Sequence, residues 1–455
     1  MGSILRLYLL PIEQCNKLSH LTHLDVTYKT SSDCCILESE YTSQLSPYEI
    51  IFCKEWFPQS VYTDVRLCPD LSQSMTIIRP FLIEGFLSVT WQQIVMYCVG
   101  GLLIWLAIKK QLEPALLLPM GFGAILVNLP NSGVLNQMMA GNIEAGGIIE
   151  WLYTVGIGAA EAMPILLFIG IGAMIDFGPL ISNPKMFLFG AAAQFGIFAA
   201  LSVATLLGFD LKDAASIGII GAADGPTSIL VSQVLNSNYM GPIAVVAYSY
   251  MALVPIIQPA VIKMITTKKE RGIHMEHVAA RPVSRTTRIL FPIVVTLIAG
   301  MVAPMSIGLV GSLMFGNLLR ECKVLDNLSE TAQHEFTNII TLLLGITVAY
   351  NMKAAQFVTW QTLLIMVIGL AAFVFDTIGG VMFAKLLNLF SKKKINPMIG
   401  AAGISAFPMS ARVVEKLAVS EDKTNHLLME AVSANVSGQI ASVVAGGMIL
   451  QFFMH

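Results

Sequence analysis

Asp224 is a carboxylate set in the middle of apolar sequence. The stretch Ala215 to Ile229 reads A-S-I-G-I-I-G-A-A-D-G-P-T-S-I, a small-residue helix that meets Asp224, Gly225 and Pro226 in mid-course. Proline removes a backbone donor and clashes with the preceding turn, and glycine relaxes the chain, so a helix at membrane depth breaks here. The break frees carbonyls and N–H groups, which hydrocarbon tolerates only where they line a cavity or are buried in protein. An acid at the bilayer centre costs on the order of 3 kcal/mol on insertion scales, so it must be paired, protonated or bound to a cation. With the hydroxyls of Thr227 and Ser228 beside it, the chemistry on offer is hard-oxygen binding of Na+ or H+. The plain alternative is a buried Asp that caps a helix after a kink.

A second interrupted stretch runs from Asn396 to Arg412, with Pro397, Gly400, Gly403 and Pro408 forbidding one continuous helix. Asn396 and Ser405 offer neutral oxygens that bind Na+ without neutralising it. Arg412 brings a permanent cation whose planar fork fits a carboxylate. Its partner is a bound carboxylate or Asp224 itself; otherwise Arg412 is an interfacial anchor that snorkels to water. Asp176, before Phe177-Gly178-Pro179, and Asp376 are further acids in apolar sequence and so functional candidates. Asn435 lies in the polar patch Ser433-Ala434-Asn435-Val436-Ser437-Gly438-Gln439, suited to ion coordination or to helix–helix hydrogen bonding. Tyr248 and Tyr250 follow the first break, where a phenol relays a proton or packs in an aromatic belt.

The elements that must position these groups are membrane spans. The chain is 55% hydrophobic and 12% charged, half the charge of a soluble domain, and its mean hydropathy is +0.71. Apolar stretches are expected at about 92–108, 114–130, 148–178 (interrupted near Pro164), 186–208, 241–262, 288–306, 307–320, 336–352, 357–386 and 427–453, each judged against the ~20 residues of a span. With the broken stretches 214–236 and 396–415, the reading is an all-α polytopic membrane protein of roughly ten to twelve transmembrane or re-entrant elements. Lys109 and Lys110 place the first loop in the cytoplasm, and so do Lys263, Lys268, Lys269, Arg271, Arg281, Arg285 and Arg288 for theirs. Lys392, Lys393 and Lys394 form another basic cluster. That parity holds if both broken stretches are re-entrant hairpins entering from opposite faces, the signature of inverted repeats.

Residues 1–79 form a separate, mixed polar extension, and 80–455 the membrane domain. Pro11 and Glu13 cut the opening apolar run too early for a signal peptide. The extension is expected to be a lineage-specific addition, or a stretch translated ahead of a start at Met75. Cys15, Cys34, Cys35, Cys53 and Cys68 lie in it, leaving Cys98 and Cys322 for the membrane part, with no metal-ligand spacing. The net charge of −2 says nothing about nucleic acid, but no basic patch of the kind that binds it occurs. No phosphate-binding Gly-x-x-x-x-Gly-Lys-Ser/Thr loop occurs.

Ile219 to Thr227 and Gly403 to Arg412 closely resemble the two signatures of the β subunits of sodium-pumping, biotin-dependent decarboxylases. Glu113 to Pro119, Gly172 to Leu180 and Phe375 to Gly380 add to the likeness. The resemblance covers roughly residues 80 to 455. It implies a carboxybiotin decarboxylase that releases CO2 from biotin on a partner's carrier domain and couples this to Na+ export, consuming a proton from outside. Asp224 would then bind Na+, with Ala222 standing where the motif has a glycine. Asn396, Gly400, Ser405 and Arg412 carry over as site residues, the Ser in ion or proton transfer and the Arg in handling carboxybiotin. The metal set is then Asp224, Thr227, Ser405, Asn396, Asn435 and Asp176.

The implied partners are a biotin carrier protein, a carboxyltransferase α subunit and a small membrane-anchor subunit, in a homo-oligomer in the cell membrane. No Met-Lys-Met site occurs; Asn351-Met352-Lys353-Ala354 lacks the second Met, so biotin belongs to a partner. The competing class is a free-standing sodium-coupled carboxylate symporter or Na+/H+ antiporter, which shares broken helices and a membrane Asp. A non-catalytic scaffold has no need of Asp224 and Arg412 in breaks.

Overall fold

A computed structural model describes residues 88–455 apart from 112–113, 131, 140–142, 160, 276–282, 392 and 455, together with the backbone of three short strands before them. Arg281, Lys392 and Glu113 therefore lie outside the described residues, as does most of the 1–79 extension. The strands β1 (Leu7–Tyr8), β2 (Thr27–Ser31) and β3 (Cys34–Glu38) form an antiparallel sheet in the order β1-β3-β2. The extension therefore holds regular structure that its irregular polarity concealed. The chain divides into two compact units, one of residues 1–82 with 139–143 and one of the remainder.

The membrane domain is helical apart from a two-stranded sheet of Asn136–Met139 and Ile143–Gly146, and every expected apolar stretch is a helix. Caps set several boundaries. Thr90 and Gln93 close a capping box on Trp91–Lys110, Ser284 accepts from the Thr287 N–H ahead of Arg285–Val302, and Thr359 does the same for Trp360–Phe390. Trp91–Lys109, Pro184–Leu206, Arg285–Val302, Trp360–Phe390 and Leu428–Phe453 are long and apolar enough to cross a bilayer. Two further spans are bent, Ile148–Gly158 against Ala162–Met174 by 65° and Met240–Met251 against Leu253–Ile265 by 69°. The first bend falls at Glu161, in the left-handed region at φ 51°, rather than at Pro164. Pro164 sits in the first turn of the next helix, where its missing N–H costs nothing.

The two halves repeat one order. Trp91–Lys110, Pro114–Val127, Ile148–Met174, the long span to Leu206, a broken hairpin and Met240–Ile265 are followed by Arg285–Val302, Ile307–Glu321, Thr337–Val348, Trp360–Phe390, a broken hairpin and Leu428–Met454. Packing obeys the exchange that a twofold relation requires. Ala162–Met174 packs on Ile307–Glu321, and Pro114–Val127 on Thr337–Val348. Phe195–Leu206 packs on Trp360–Phe390, as do Met240–Ile265 on Trp360–Phe390 and Leu428–Met454 on Phe187–Ala193.

Side-chain bonds tie off each hairpin. Asp213, near the start of the first, accepts from the Ser237 hydroxyl (2.8 Å), the Asn238 N–H (3.0 Å) and the Asn238 amide (3.1 Å) at its end. The ends of the second meet at Arg271. Asn396 Nδ2 donates to the Arg271 carbonyl (2.8 Å), and Arg271 Nε donates to Glu421 (2.8 Å). Asn238 immediately precedes Met240–Ile265 and Arg271 closely follows it. The hairpins are thus rooted at opposite ends of one span, as the charge parity anticipated.

Candidate functional site

The first hairpin breaks in three steps. Leu211–Gly218 gives way to a 3-10 turn at Ile219–Ala222, Ala223 turns left-handed at φ 52°, and Asp224 is extended before Gly225–Val234 begins. A left-handed alanine is costly, on the order of 1–3 kcal/mol, and such strain persists only where the surroundings impose it. Its effect is to swing the Asp224 side chain into the interior, where it is 5% exposed. Thr227 Oγ1 donates to Asp224 Oδ2 at 2.6 Å, Ser442 Oγ approaches the same oxygen at 3.4 Å, and Ser228 Oγ donates to the Asp224 carbonyl at 2.8 Å. No cation among the described residues pairs with the carboxylate.

The second hairpin meets it break to break. Ser405, in the gap between Met398–Ala401 and Met409–Glu421, donates both its N–H (3.3 Å) and its hydroxyl (2.5 Å) to the Ala222 carbonyl. Asn435 Nδ2 supports that gap through the Ile404 carbonyl (2.6 Å) and Ser410 Oγ (3.1 Å), which leaves Asn435 Oδ1 buried without a partner. Asn435, Gln439 and Ser442 lie at i, i+4 and i+7 of Leu428–Met454, so one helix face addresses both breaks. Asp224, Tyr248, Ser405 and Gln439 line a cavity of about 150 Å³.

The two tyrosines part company. Tyr248 lines this cavity with its hydroxyl buried and unpartnered, and its ring lies on Gly225, where a Cβ would overlap it. Tyr250 faces the other way, its hydroxyl bonded to the Met366 carbonyl of Trp360–Phe390. Residues two positions apart on a helix point about 200° apart, so only one of the pair can face the break.

The other expected residues lie elsewhere. Asn396 is fully buried, its amide donating to the Arg271 and Ile273 carbonyls and its Oδ1 accepting from the Met398 N–H (3.1 Å), so all of its groups are committed to the hairpin root. Gly400 presses against the Gly380 backbone, a contact that leaves no room for a Cβ. Asp176 is half-exposed, accepting from the Gly178 N–H at 2.8 Å and lying 3.8 Å from Arg288, which also approaches Glu321 at 3.6 Å. The structure therefore brings Asp224, Thr227, Ser405, Asn435 and Tyr248 together, and leaves Asp176, Asn396, Gly400 and Tyr250 outside.

Arg412 does not reach Asp224. It lines a separate groove of about 450 Å³ with Lys263, Lys416, Pro255 and Pro259, and its guanidinium forms no ion pair or hydrogen bond among the described residues. Three exposed cations beside proline and leucine surface suit an anion with an apolar body. Sequence reading missed Lys263 and Lys416 as its companions, and Ser442 and Gln439 as companions of Asp224. The spacing of Asn435, Gln439 and Ser442 was legible; the approach of Lys263, on another helix, was not.

Comparison with known proteins gives a consistent family. The family model for the Na+-transporting oxaloacetate decarboxylase beta subunit matches residues 92–453. Methylmalonyl-CoA decarboxylase subunit beta of Propionigenium modestum is 46% identical, over 81% of this chain and 97% of its own. Glutaconyl-CoA decarboxylase subunit beta of Acidaminococcus fermentans is 46% identical, over 81% and 95%. Oxaloacetate decarboxylase beta chain of Haemophilus ducreyi is 41% identical, over 83% and 98%.

Proposed function

Because the chain belongs to the family of Na+-transporting oxaloacetate decarboxylase beta subunits, we propose that it decarboxylates carboxybiotin borne by a partner and couples CO2 release to Na+ export with proton consumption. The observation that carries this reading is the contact of the two broken hairpins. An intramembrane carboxylate, a serine and freed backbone meet there, at the midpoint of a fold whose halves enter from opposite sides.

In this reading Asp224 supplies the negative charge for Na+, and Thr227, Ser442, Ser405 and the free Oδ1 of Asn435 supply neutral oxygens. Tyr248, whose hydroxyl has no other commitment, is the phenol placed to pass a proton into the same cavity. Arg412 holds the substrate's carboxylate in the groove, Lys263 and Lys416 add attraction, and Pro255 and Pro259 give an apolar wall. The groove's volume lies within the roughly 300–1,000 Å³ of small-molecule sites. Biotin, when docked, supplies the N-carboxyl group; loss of CO2 leaves its ring nitrogen to take up one proton, so turnover needs a proton path as well as an ion path. Arg412 follows the Ser405 gap within the second hairpin, so loading of the groove acts on the element that closes on Ala222.

The partners are a biotin carrier protein, a carboxyltransferase α subunit and a small membrane-anchor subunit, in a homo-oligomeric complex in the cell membrane. The relatives' names differ in the acid consumed, which on this reading the carboxyltransferase selects and this chain does not. The test is Na+ transport by the purified chain in liposomes. Export should require free carboxybiotin or a carboxylated carrier. Transport driven by a Na+ gradient alone would instead establish the free-standing symporter or antiporter.

A further inference from the structure

Asp376, like Asp224 and Asp213, is a carboxyl buried in the membrane domain with no cation partner among the described residues, but it neither lines the Asp224 cavity nor ties off a hairpin root. It lies in Trp360–Phe390 with 1% exposure, and neither of its oxygens completes a hydrogen bond. Its surroundings are specific. Pro184–Leu206 is interrupted at Gln194, and the N–H groups of Gly196 and Ile197, at the start of the helix's second half, face the carboxyl. On the other side stands Gly221, in the turn directly before Ala223 and Asp224. A Cβ at Gly221 would fall 2.8 Å from Asp376 Oδ2, and one at Gly196 would overlap Oδ1. Two glycines and an interrupted helix thus make room for one carboxyl against the turn that aims Asp224.

We propose that Asp376 is a second ion-exchanging carboxyl of the pump, which takes a proton rather than Na+, and whose loading sets the Gly221 turn from which Asp224 projects. This rests on the Na+-export reading above. The choice of a proton follows from the cradle. Na+ needs several oxygen donors, whereas here the groups facing the carboxyl are N–H donors and the hydrogens of glycine. A carboxyl can exist there as a neutral acid or as an anion held by N–H groups at a helix start, and passing between the two states changes its charge beside Gly221.

No other titratable group intrudes. On the elements packed against its helix, Lys185 and Lys212 are exposed, Asp213 is held by Ser237 and Asn238, Lys263 is in the cationic groove, Tyr250 is bonded to Met366, and Tyr248 lies in the Asp224 cavity. Lys385, further along its own helix, pairs with Glu270 at 3.0 Å, and the turn Ile219–Ala222 and the helix Met398–Ala401 carry no titratable side chain.

The test uses the complete complex in proteoliposomes. Asp376→Asn fixes the neutral shape. It should leave assembly and the Na+-induced rise in Tm intact, cut Na+ transport by at least about tenfold, and flatten the pH dependence of transport that the native complex shows. Native transport by this variant across the pH range overturns the proposal, because a permanently neutral group would then suffice. Loss of the Na+-induced Tm rise also overturns it, by making Asp376 a Na+ ligand. Should the variant not assemble, carbodiimide labelling of the native complex decides. Asp376 should label in a pH-dependent way that saturating Na+ does not block, and absent or Na+-blocked labelling refutes it. Failure of the underlying reading is separate: it would appear as an Asp224→Asn complex that keeps its Na+-induced Tm rise.

Discussion

Asp224→Asn keeps the size of the side chain and its contact with Thr227 while removing the charge that compensates Na+. Na+ transport and Na+-stimulated decarboxylation should both fall by about a hundredfold or more, roughly 3 kcal/mol of lost charge compensation. Radioactive Na+ uptake into inverted vesicles, read beside CO2 release, measures this. Full Na+-stimulated decarboxylation without transport would refute one shared residue. Because Arg412 occupies a different cavity, Arg412→Lys should weaken apparent carboxybiotin affinity about tenfold, the cost of a lost two-pronged contact, and leave the Na+ titration unchanged. The two tyrosines give an internal control. Tyr250→Phe loses one hydrogen bond to Met366, about 1 kcal/mol of stability, with no change in Na+ dependence. Tyr248→Phe should slow turnover with no loss of stability, since its hydroxyl has no partner to lose. Equal effects of the two substitutions on turnover would withdraw Tyr248 from the proton path.

The hairpins make their own predictions, because each is held by its root and positioned at its break. Gly225→Ala drives a methyl into the Tyr248 ring, so overpacking of about 1–3 kcal/mol should lower Tm and weaken Na+ stimulation together. A Tm drop with normal Na+ stimulation would separate this contact from the ion site. At the root of the second hairpin the Arg271 turn is braced by Glu270, which receives bonds from Thr267 and Lys385. Burial opposes ionisation of Glu270, but the Thr267 N–H, Lys385 and the Thr267 hydroxyl outweigh it and hold its carboxyl below the ordinary value. A carboxyl depressed in the folded state contributes stability above its unfolded value and loses it as pH falls through its folded value. The brace is therefore intact at neutral pH and loosens in acid, by less than about 1 kcal/mol for a pair this near the surface. Hydrogen exchange over residues 266–273 should quicken as pH falls through that range, after correction for intrinsic rates, and Glu270→Gln should remove the extra dependence.

At the scale of the whole molecule, composition and apolar run length settled the class, because a chain that buries so little charge and offers spans of about 20 apolar residues has only the bilayer as its solvent. The breaks were legible for an equally local reason. Proline and glycine act on their own backbone, so Asp224-Gly225-Pro226 and Gly403 to Pro408 announce interrupted helices wherever they lie. Basic loops carried the opposed entry of the hairpins, which the roots at Asp213 and Arg271 bear out. What the chain order could not reveal was which way a side chain faces once helices cross. Asp176 and Asn396 have the right chemistry, yet Arg288 and the Arg271 turn claim them, and Tyr248 and Tyr250 are separated only by the rotation of one helix. Arg412 was open between Asp224, an external carboxylate and an interfacial anchor until the groove with Lys263 and Lys416 removed it from the ion cavity. Such assignments depend on contacts between residues far apart in the chain, and those contacts exist only when the two halves pack against each other.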